Sequence, residues 1–396
     1  MSYKKIYKIK DIGEVVSGTT PSTNNESYWN GNIKWITPAE LIDGHNWYLY
    51  DTNRKITEKA FKDCNLRMLP RGTILLTSRA PIGKVAIVGE EMCTNQGFKS
   101  IICNPNYVNS EYLYFWLLSK KDYLNHLGRG ATFKEISKSI VENIEVPLPS
   151  LEIQNKIVEI LKKALNLIDK RKAQIEALDQ LTQSVFLEMF GDPKLNKKNW
   201  KKQKLNDVCL RKGEYGSGSS AIPYDSGKPR YIRITDIRDD GSLNDDIVAP
   251  SNPDDYEKYR LNEGDILFAR SGATVGKTYL HSEKNGYCIF AGYLIRFVPD
   301  ISKINPKFLF HFTRTQYYKQ WVMSKQNTVA QPNINAKQYG EELFIICPPL
   351  ELQNRFAKIV EEIEAEKELL QKSMVELQNN FNSLMQRVFK GELFND

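Results

Sequence analysis

A long segment in the middle of the chain recurs at its end, 199 residues later. Leu151, Glu152, Gln154 and Asn155 return as Leu350, Glu351, Gln353 and Asn354, and Ser184 and Phe190 return as Ser383 and Phe389. The chain has 396 residues, so the offset is almost half of its length. This period is far too long for a solenoid, and it predicts a duplicated molecule that carries two copies of one plan.

Both copies of the segment carry mostly apolar residues at alternating steps of four and three. The first series is Ile157, Leu161, Ala164, Ile168, Arg171, Ile175, Leu178, Thr182, Val185 and Met189. The second is Phe356, Val360, Ile363, Lys367, Leu370, Met374, Leu377, Phe381, Leu384 and Val388. A 3.5-residue repeat over more than four heptads predicts a narrow coiled-coil seam on each of two long helices.

Local signals predict where these helices begin and end. Proline precedes each copy, at Pro149 and Pro349, and Gly191 and Gly391 follow the last apolar positions. We expect the two helices to pair antiparallel as a rigid rod, although packing inside one large domain is the competing interpretation. The candidate pairing or partner residues are Gln154, Asn155, Ile157, Leu161, Ile168, Ile175 and Leu178, with Gln353, Asn354, Phe356, Val360, Leu370, Leu377 and Phe381.

The repeat divides the chain into four predicted segments: a globular domain at 1–149, a helix at 150–192, a second domain at 193–349 and a C-terminal helix at 350–396. Residues 1–149 contain 19 Lys and Arg against 15 Asp and Glu, and residues 193–349 contain 24 against 17. Both helical segments are slightly acidic. The net charge of +7 therefore comes from the globular segments. It indicates either two ordinary basic surfaces or a polyanionic partner, most naturally nucleic acid.

Composition argues against several other classes. No apolar run approaches the ~18 residues that a membrane span needs, so no membrane association is expected. The six cysteines are scattered and the four histidines lack neighbouring ligand candidates, so neither a disulfide framework nor a metal site is predicted. Reduced thiols fit a cytoplasmic location. No catalytic constellation is visible either, which predicts a non-catalytic chain.

Each globular segment contains short β-branched and aromatic runs between Gly, Pro and Asn clusters, followed by a helical, aromatic stretch. The segments match loosely: residues 34–37 correspond to 230–235, and 72–78 correspond to 264–271. The predicted fold class is α+β, with two mixed α/β domains separated by two long antiparallel coiled-coil helices in a pseudo-twofold repeat.

Two loops in these domains combine cations with small residues. Residues 79–84 carry Arg79 and Lys84, and residues 270–277 carry Arg270 and Lys277. A guanidinium or ammonium group on a tight turn after a strand suits DNA phosphate, and arginine also pairs with guanine edges. A solvated turn is the plainer interpretation.

The second loop also resembles a phosphate-binding P-loop in Ser271-Gly-Ala-Thr-Val-Gly-Lys-Thr278, apart from a serine where the first glycine belongs. The equivalent stretch in the first half contains Pro81 and lacks a hydroxyl after Lys84. The repeat therefore argues against an NTPase.

The chain resembles the specificity subunits of type I restriction–modification enzymes. The resemblance rests on Ser17-Gly-Thr-Thr-Pro21, Tyr28-Trp29-x-Gly31-x-Ile33-x-Trp35-Ile-Thr37, Gly72-Thr-Ile-Leu75, the Gly-Lys loops, and the Pro-x-x-Glu-x-Gln-Asn that opens each helix. It covers the whole chain in the order domain, helix, domain, helix. The second half lacks the Thr-Pro and Tyr-Trp signatures, so its base contacts cannot be mapped from the first half.

The resemblance implies two target-recognition domains that each read half of a bipartite site in double-stranded DNA. The paired helices would set the spacing and dock two methyltransferase subunits, and restriction/translocase subunits would join them. S-adenosylmethionine, ATP and Mg²⁺ would belong to these partners, with no cofactor in this chain. The candidate DNA-binding residues are Thr20, Trp35, Thr37, Ser78, Arg79 and Lys84 in the first half, with Arg233, Thr235, Arg270, Ser271 and Lys277 in the second.

Three alternatives remain open at the level of sequence. The chain could be the specificity factor of another DNA-modifying assembly, a non-catalytic coiled-coil scaffold with two protein-binding heads, or an ATPase. The basic excess on the heads disfavours the scaffold, and the repeat disfavours the ATPase.

Overall fold

A computed structural model describes residues 5–41, 47–79, 81–128, 134–326 and 333–393 of the protein. Ala80, within the first predicted cation loop, lies outside the described residues. The chain forms two compact units. The first unit comprises Met1–Lys172 with Lys372–Asp396, and the second comprises Ala173–Gln371.

The first unit is a mixture of short strands and helices. Its strands are β1 (Lys5–Lys8), β2 (Gly13–Ser17), β3 (Trp29–Ile36), β4 (Tyr48–Leu49), β5 (Arg54–Ile56), β6 (Ile74–Leu76), β7 (Val85–Val88), β8 (Cys93–Thr94), β9 (Lys99–Cys103) and β10 (Glu145–Leu148). Its short helices are α1 (Ile9–Ile12), α2 (Glu58–Asp63), α3 (Ser110–Leu118), α4 (Lys121–Leu127) and α5 (Lys138–Glu142).

Three sheets organise the described part of this unit. A five-stranded sheet has the order β2-β9-β6-β7-β4, a three-stranded sheet has the order β5-β3-β8, and β1 pairs antiparallel with β10. The β1–β10 ribbon joins the beginning of the globular segment to its end. Helix α3 packs its buried aromatic residues into the largest apolar cluster of the unit.

The second unit contains the same kinds of element. Its strands are β11 (Lys201–Lys204), β12 (Glu214–Tyr215), β13 (Ala221–Pro223), β14 (Arg230–Ile232), β15 (Val248–Pro250), β16 (Ile266–Ala269), β17 (Thr278–Leu280), β18 (Cys288–Phe290), β19 (Leu294–Phe297) and β20 (Phe344–Cys347). Its short helices are α7 (Asp255–Lys258), α8 (Pro306–Phe312), α9 (Gln316–Gln326) and α10 (Ala336–Glu342).

The strand pairings repeat those of the first unit at equivalent places. The main sheet has the order β12-β19-β16-β17, the β11–β20 ribbon matches β1–β10, and the parallel pair β14–β18 matches β3–β8. Two-stranded β13–β15 completes the unit. The duplication predicted from sequence therefore extends to the strand order. The mixture of strands and helices in each half also agrees with the predicted α+β class.

Two long helices carry the repeated segments, at Leu151–Phe190 (α6) and Leu350–Lys390 (α11). Gly191 and Gly391 follow them with φ of 77° and 87°, in the left-handed region that glycine enters without strain. In the second unit the Lys198 ammonium and the Trp200 indole donate to carbonyls of the last turn of α6. These bonds satisfy acceptors that the helix itself leaves open.

The two helices run antiparallel, as predicted, because the start of each lies beside the end of the other. In the first unit Ile157, Leu161 and Ile168 share a core with Phe381 and Val388. In the second unit the Phe356 ring meets Phe186 and Phe190 at 5.5 and 5.4 Å.

None of the twenty predicted seam positions is exposed, but their burial is uneven. Ile175, Leu178, Leu370 and Leu377 are only half-buried. Near the last turn of α6, Phe186 and Phe190 are more buried than the predicted Val185 and Met189. The shift follows from the large aromatic rings, which reach the core of the second unit from the neighbouring helix position.

No described helix combines the length and the apolar character that crossing a membrane requires.

Candidate nucleic-acid interface

A buried glutamine joins the first helix to its own globular half. The Gln154 side chain is fully buried. Its Oε1 accepts from the Asn109 backbone N–H at 2.8 Å, and its Nε2 donates to the Tyr107 and Pro149 carbonyls, both at 3.0 Å. Next to it, Asn155 Oδ1 accepts from the Asn109 side chain at 2.7 Å. These bonds fix the first turn of α6 against the beginning of α3.

The second half repeats this arrangement atom for atom. Gln353, also fully buried, accepts from the Asn305 N–H at 2.8 Å and donates to the Pro348 and Lys303 carbonyls at 2.8 and 3.4 Å. Asn354 Oδ1 accepts from the Asn305 side chain at 2.9 Å. The prediction that Gln154 and Gln353 serve helix pairing or partner binding is therefore wrong. Both glutamines are inaccessible because they satisfy buried backbone groups within their own half.

An isolated β-bridge marks equivalent surface loops in the two halves. Arg79 pairs with Glu135 in the first half, and Ser271 pairs with Asn333 in the second. Ile136, which follows Glu135, donates its backbone N–H to the Ser78 carbonyl at 2.9 Å. Ile334, which follows Asn333, donates its backbone N–H to the Arg270 carbonyl at 2.8 Å. Ser78 is thus the backbone counterpart of Arg270, and the two loop arginines stand at adjacent rather than identical positions.

The first cation cluster consists of Arg79, Lys99 and Glu135. The Glu135 carboxylate receives Arg79 Nε at 3.1 Å and Lys99 Nζ at 3.3 Å. Burial acts to raise the pKa of Glu135, but the hydrogen bonds from Arg79 and Lys99 outweigh it and lower the pKa. The Arg79 side chain is 49% exposed, whereas that of Lys99 is only 9% exposed. Of the two cations, Arg79 is the one that can reach an external anion.

The second cation cluster consists of Arg270, Asn333 and Tyr215. Arg270 Nε donates to Asn333 Oδ1 at 3.4 Å, and its guanidinium lies 4.7 Å from the centre of the Tyr215 ring. The ring remains 42% exposed. A guanidinium held over an aromatic face keeps its charge and its outward N–H groups, a combination that suits contact with phosphate or a base. Lys99, Glu135, Tyr215 and Asn333 were absent from the sequence prediction. A repeat at an offset of 198, in Glu135-Ile-Ser and Asn333-Ile-Asn, could have revealed the two bridge residues.

The loop lysines of the two halves, Lys84 and Lys277, have an internal role. Lys84 Nζ donates to the Leu41 carbonyl at 2.7 Å, and Lys277 Nζ donates to the Ile237 carbonyl at 3.2 Å. Lys277 also pairs with Asp239 at 2.8 Å. Their ammonium groups brace neighbouring loops in both halves, so their prediction as DNA contacts is not supported by the geometry.

The P-loop resemblance has no structural counterpart. A phosphate-binding loop leads into a helix whose N–H groups surround the phosphates. Here Thr278 instead begins strand β17 and is buried, with its hydroxyl 2.7 Å from that of Thr313.

Two predicted DNA-binding residues lie in the interior. Trp35 is 2% exposed, and its indole Nε1 donates to the Thr19 carbonyl at 3.0 Å. Ser78 is fully buried, and its hydroxyl donates to the Gly97 carbonyl at 3.0 Å. Neither side chain can reach a DNA groove, so these two predictions are wrong.

Two further candidates precede equivalent 3-10 helices. Thr37 precedes Pro38–Glu40 and bonds to Glu40, and Arg233 precedes Ile234–Asp236 and bonds to Asp236. Thr37 therefore corresponds to Arg233 and not to Thr235, the match expected from sequence. Asp236 and Asp246 both hold the Arg233 guanidinium at 2.7 Å, and these carboxylates raise its pKa.

The remaining candidates are more accessible. Thr235 is exposed, Ser271 is half-buried beside Arg270, and the Thr20 hydroxyl bonds to the Gln96 side chain. Within the described residues no group of three or more His, Cys, Asp or Glu side chains is arranged to hold a metal ion.

Comparisons with known proteins agree with this duplicated plan. The family model described as "Type I restriction modification DNA specificity domain" matches twice, at residues 1–178 and 197–379. The MjaIX type I restriction enzyme specificity subunit of Methanocaldococcus jannaschii is 32% identical, over 98% of this chain and 93% of its own. The EcoDI specificity subunit of Escherichia coli is 22% identical, over 98% and 88%.

Solved structures share the fold. One chain, from work on complex assembly and conformational transition of the type I R-M system, has a TM-score of 0.64 at 19% identity and covers 98% of both chains. The type I S subunit of M. genitalium has a TM-score of 0.52 at 16% identity, over 99% of this chain and 96% of its own.

The duplicated halves and the antiparallel helices define a protein built from two copies of one plan. The chain belongs to the type I restriction–modification DNA specificity family.

The buried glutamine generates a stability prediction. Gln154→Ala should lower the free energy of unfolding of the first unit by about 2–4 kcal/mol, because it leaves buried backbone groups without partners. Chemical denaturation followed by the fluorescence of the tryptophans in the first half measures the change. Asn166→Ala, at an exposed position of the same helix, is the matched control. Equal stability of the two variants would contradict the anchoring role.

Proposed function

We propose that this chain is the subunit that gives a type I restriction–modification enzyme its DNA sequence specificity. Each globular half reads one part of a bipartite double-stranded site. The observation that carries the proposal is the recurrence of a surface arginine beside the same β-bridge in both halves of one chain: Arg79 forms part of the first bridge, and Arg270 directly precedes Ser271 in the second. Duplicated readers suit a target with two separate half-sites.

The catalytic steps belong to partner subunits in this proposal, and this chain is non-catalytic. Two methyltransferase subunits use S-adenosylmethionine, and restriction/translocase subunits use ATP and Mg²⁺. The specificity chain contributes binding, position and register.

The helices offer surface to such partners. Apolar side chains point outward from α6 and α11, including Leu167 at 53%, Leu187 at 49% and Leu369 at 61% exposed. These apolar positions, together with the slightly acidic charge of the helices, favour protein rather than DNA as their neighbour. We place the methyltransferase contacts here.

The docking assignment is testable with the chain and its cognate methyltransferase subunit. Leu167→Glu should reduce co-purification, because it places a charge in an apolar contact, while Asn166→Asp, a charge at the adjacent position, should have little effect. Equal recovery of both complexes would count against this surface.

Sequencing of methylated sites, in cells that express the chain with its partners, tests the central proposal. We expect one sequence made of two defined parts separated by an undefined spacer. Methylation without a defined sequence would contradict it.

The arginines give a prediction for each half-site. Arg270→Ala should weaken binding to the second half-site, and Arg79→Ala should weaken binding to the first. Each substitution should make the slope of log affinity against log salt shallower, by about the amount that one phosphate contact contributes. Titrations at several salt concentrations, with duplexes in which one half-site is scrambled, separate the two effects. Lys284→Ala removes an exposed cation at the other end of the β16–β17 hairpin and serves as the control. Binding curves identical to the parent's would overturn the assignment.

The paired helices give a prediction for the spacer. The predicted seam from Ile157 to Met189 extends ~50 Å at ~1.5 Å per residue, a length equal to roughly 15 base pairs of B-form DNA. One additional heptad in each helix, at the same level of the pair, lengthens the seam by about 10 Å and should lengthen the spacer by about three base pairs.

Methylation mapping of the double insertion measures the spacer. Insertion in only one helix is the control, since it puts the two seams out of register and should abolish specific methylation. An unchanged spacer in the double insertion would refute the helices as the determinant of distance.

A further inference from the structure

The two cation clusters lie at equivalent positions of the backbone, but the side chains around the two arginines differ in charge. In the first, a carboxylate (Glu135) occupies the bridge position, and in the second an amide (Asn333) occupies it. The neighbouring strand position also differs. Lys99 lies opposite Ser17 in the first half, and the apolar Ile295 lies opposite Tyr215 in the second.

These differences change what each arginine offers to a polyanion. Among the residues that the structure describes, Arg270 contacts a neutral amide at 3.4 Å and an aromatic ring, neither of which competes with a phosphate for its positive charge. Arg79 meets a carboxylate at 3.1 Å that also holds Lys99. An incoming phosphate must compete with that carboxylate for Arg79. The carboxylate therefore reduces attraction to any DNA backbone, whatever its sequence.

We propose that Glu135 is a specificity-determining residue of the first half, which holds Arg79 away from non-cognate DNA and releases it only where the cognate site supplies additional contacts. This inference rests on the proposed function and adds a repulsive element to it. Discrimination between ligands improves when the wrong ligand is penalised as well as when the right one is favoured.

Glu135 also has a plainer role as the ion-pair partner of the nearly buried Lys99 ammonium, at 3.3 Å. A double substitution separates the two roles. Lys99→Met removes the buried cation, so Lys99→Met/Glu135→Gln tests the release of Arg79 without an unpaired charge in the interior.

The experiment measures binding of the full chain, in complex with its methyltransferase subunits, to two duplexes of equal length. One carries the site found by methylation mapping and the other is scrambled. We expect Glu135→Gln and the double variant to bind the scrambled duplex several-fold more tightly. The slope of log affinity against log salt should become steeper by about 0.9 for each phosphate gained.

The second half supplies the reciprocal variant. Asn333→Asp places a carboxylate beside Arg270 and should weaken binding to the scrambled duplex, with a shallower slope. Glu14→Gln is the matched control, since Glu14 pairs with Arg67 at 3.3 Å on an exposed surface of the first half. It should leave both slopes unchanged.

Three results would overturn the inference or its basis. If Glu135→Gln and the double variant keep the parent's affinity and slope, Glu135 does not control DNA binding. If only the single variant gains affinity, Lys99 rather than Arg79 is the released cation. If the parent complex does not prefer the mapped duplex to the scrambled one, the proposed function itself fails, independently of Glu135.

Discussion

A buried amide at the first turn of each long helix is the constraint on which the rest of the structure depends. Gln154 and Gln353 are fully buried, and each bonds to one backbone N–H and two carbonyls of its own half. A buried glutamine without partners would be destabilising, so each helix has one favourable way to leave its globular half. The antiparallel seam then continues from a defined starting direction.

Charge in this protein has two separate uses. Some cations support loops by binding internal carbonyls and carboxylates, as Lys84, Lys277 and Arg233 do. Arg79 and Arg270 remain at the surface with side chains that can turn toward an external anion. The basic excess of the globular segments is therefore a poor guide to individual contacts, because it does not distinguish cations that support loops from cations that face outward.

The helices could be predicted far better than the candidate interface. Seam positions such as Leu161 and Phe356 follow a periodicity that the local geometry of a helix enforces, and their identity shows on which face they lie. The loops have no such period. Trp35 and Ser78 belong to motifs that look functional in sequence, but both lie in the interior, where Trp35 Nε1 and Ser78 Oγ bond to backbone carbonyls. Motif membership alone cannot distinguish a buried hydrogen-bond donor from a ligand contact.

The sequence by itself determined the duplication, the paired helices, their limits at glycine and the mixed α/β character of each half. These properties depend on spacing along the chain, which sequence records directly. Only the tertiary structure decided which cations face outward, that Glu135 holds two of them, and that Arg270 corresponds to Ser78 rather than to Arg79. These properties depend on residues such as Lys99 and Glu135, which lie 36 positions apart and meet only when the strand and the bridge come together.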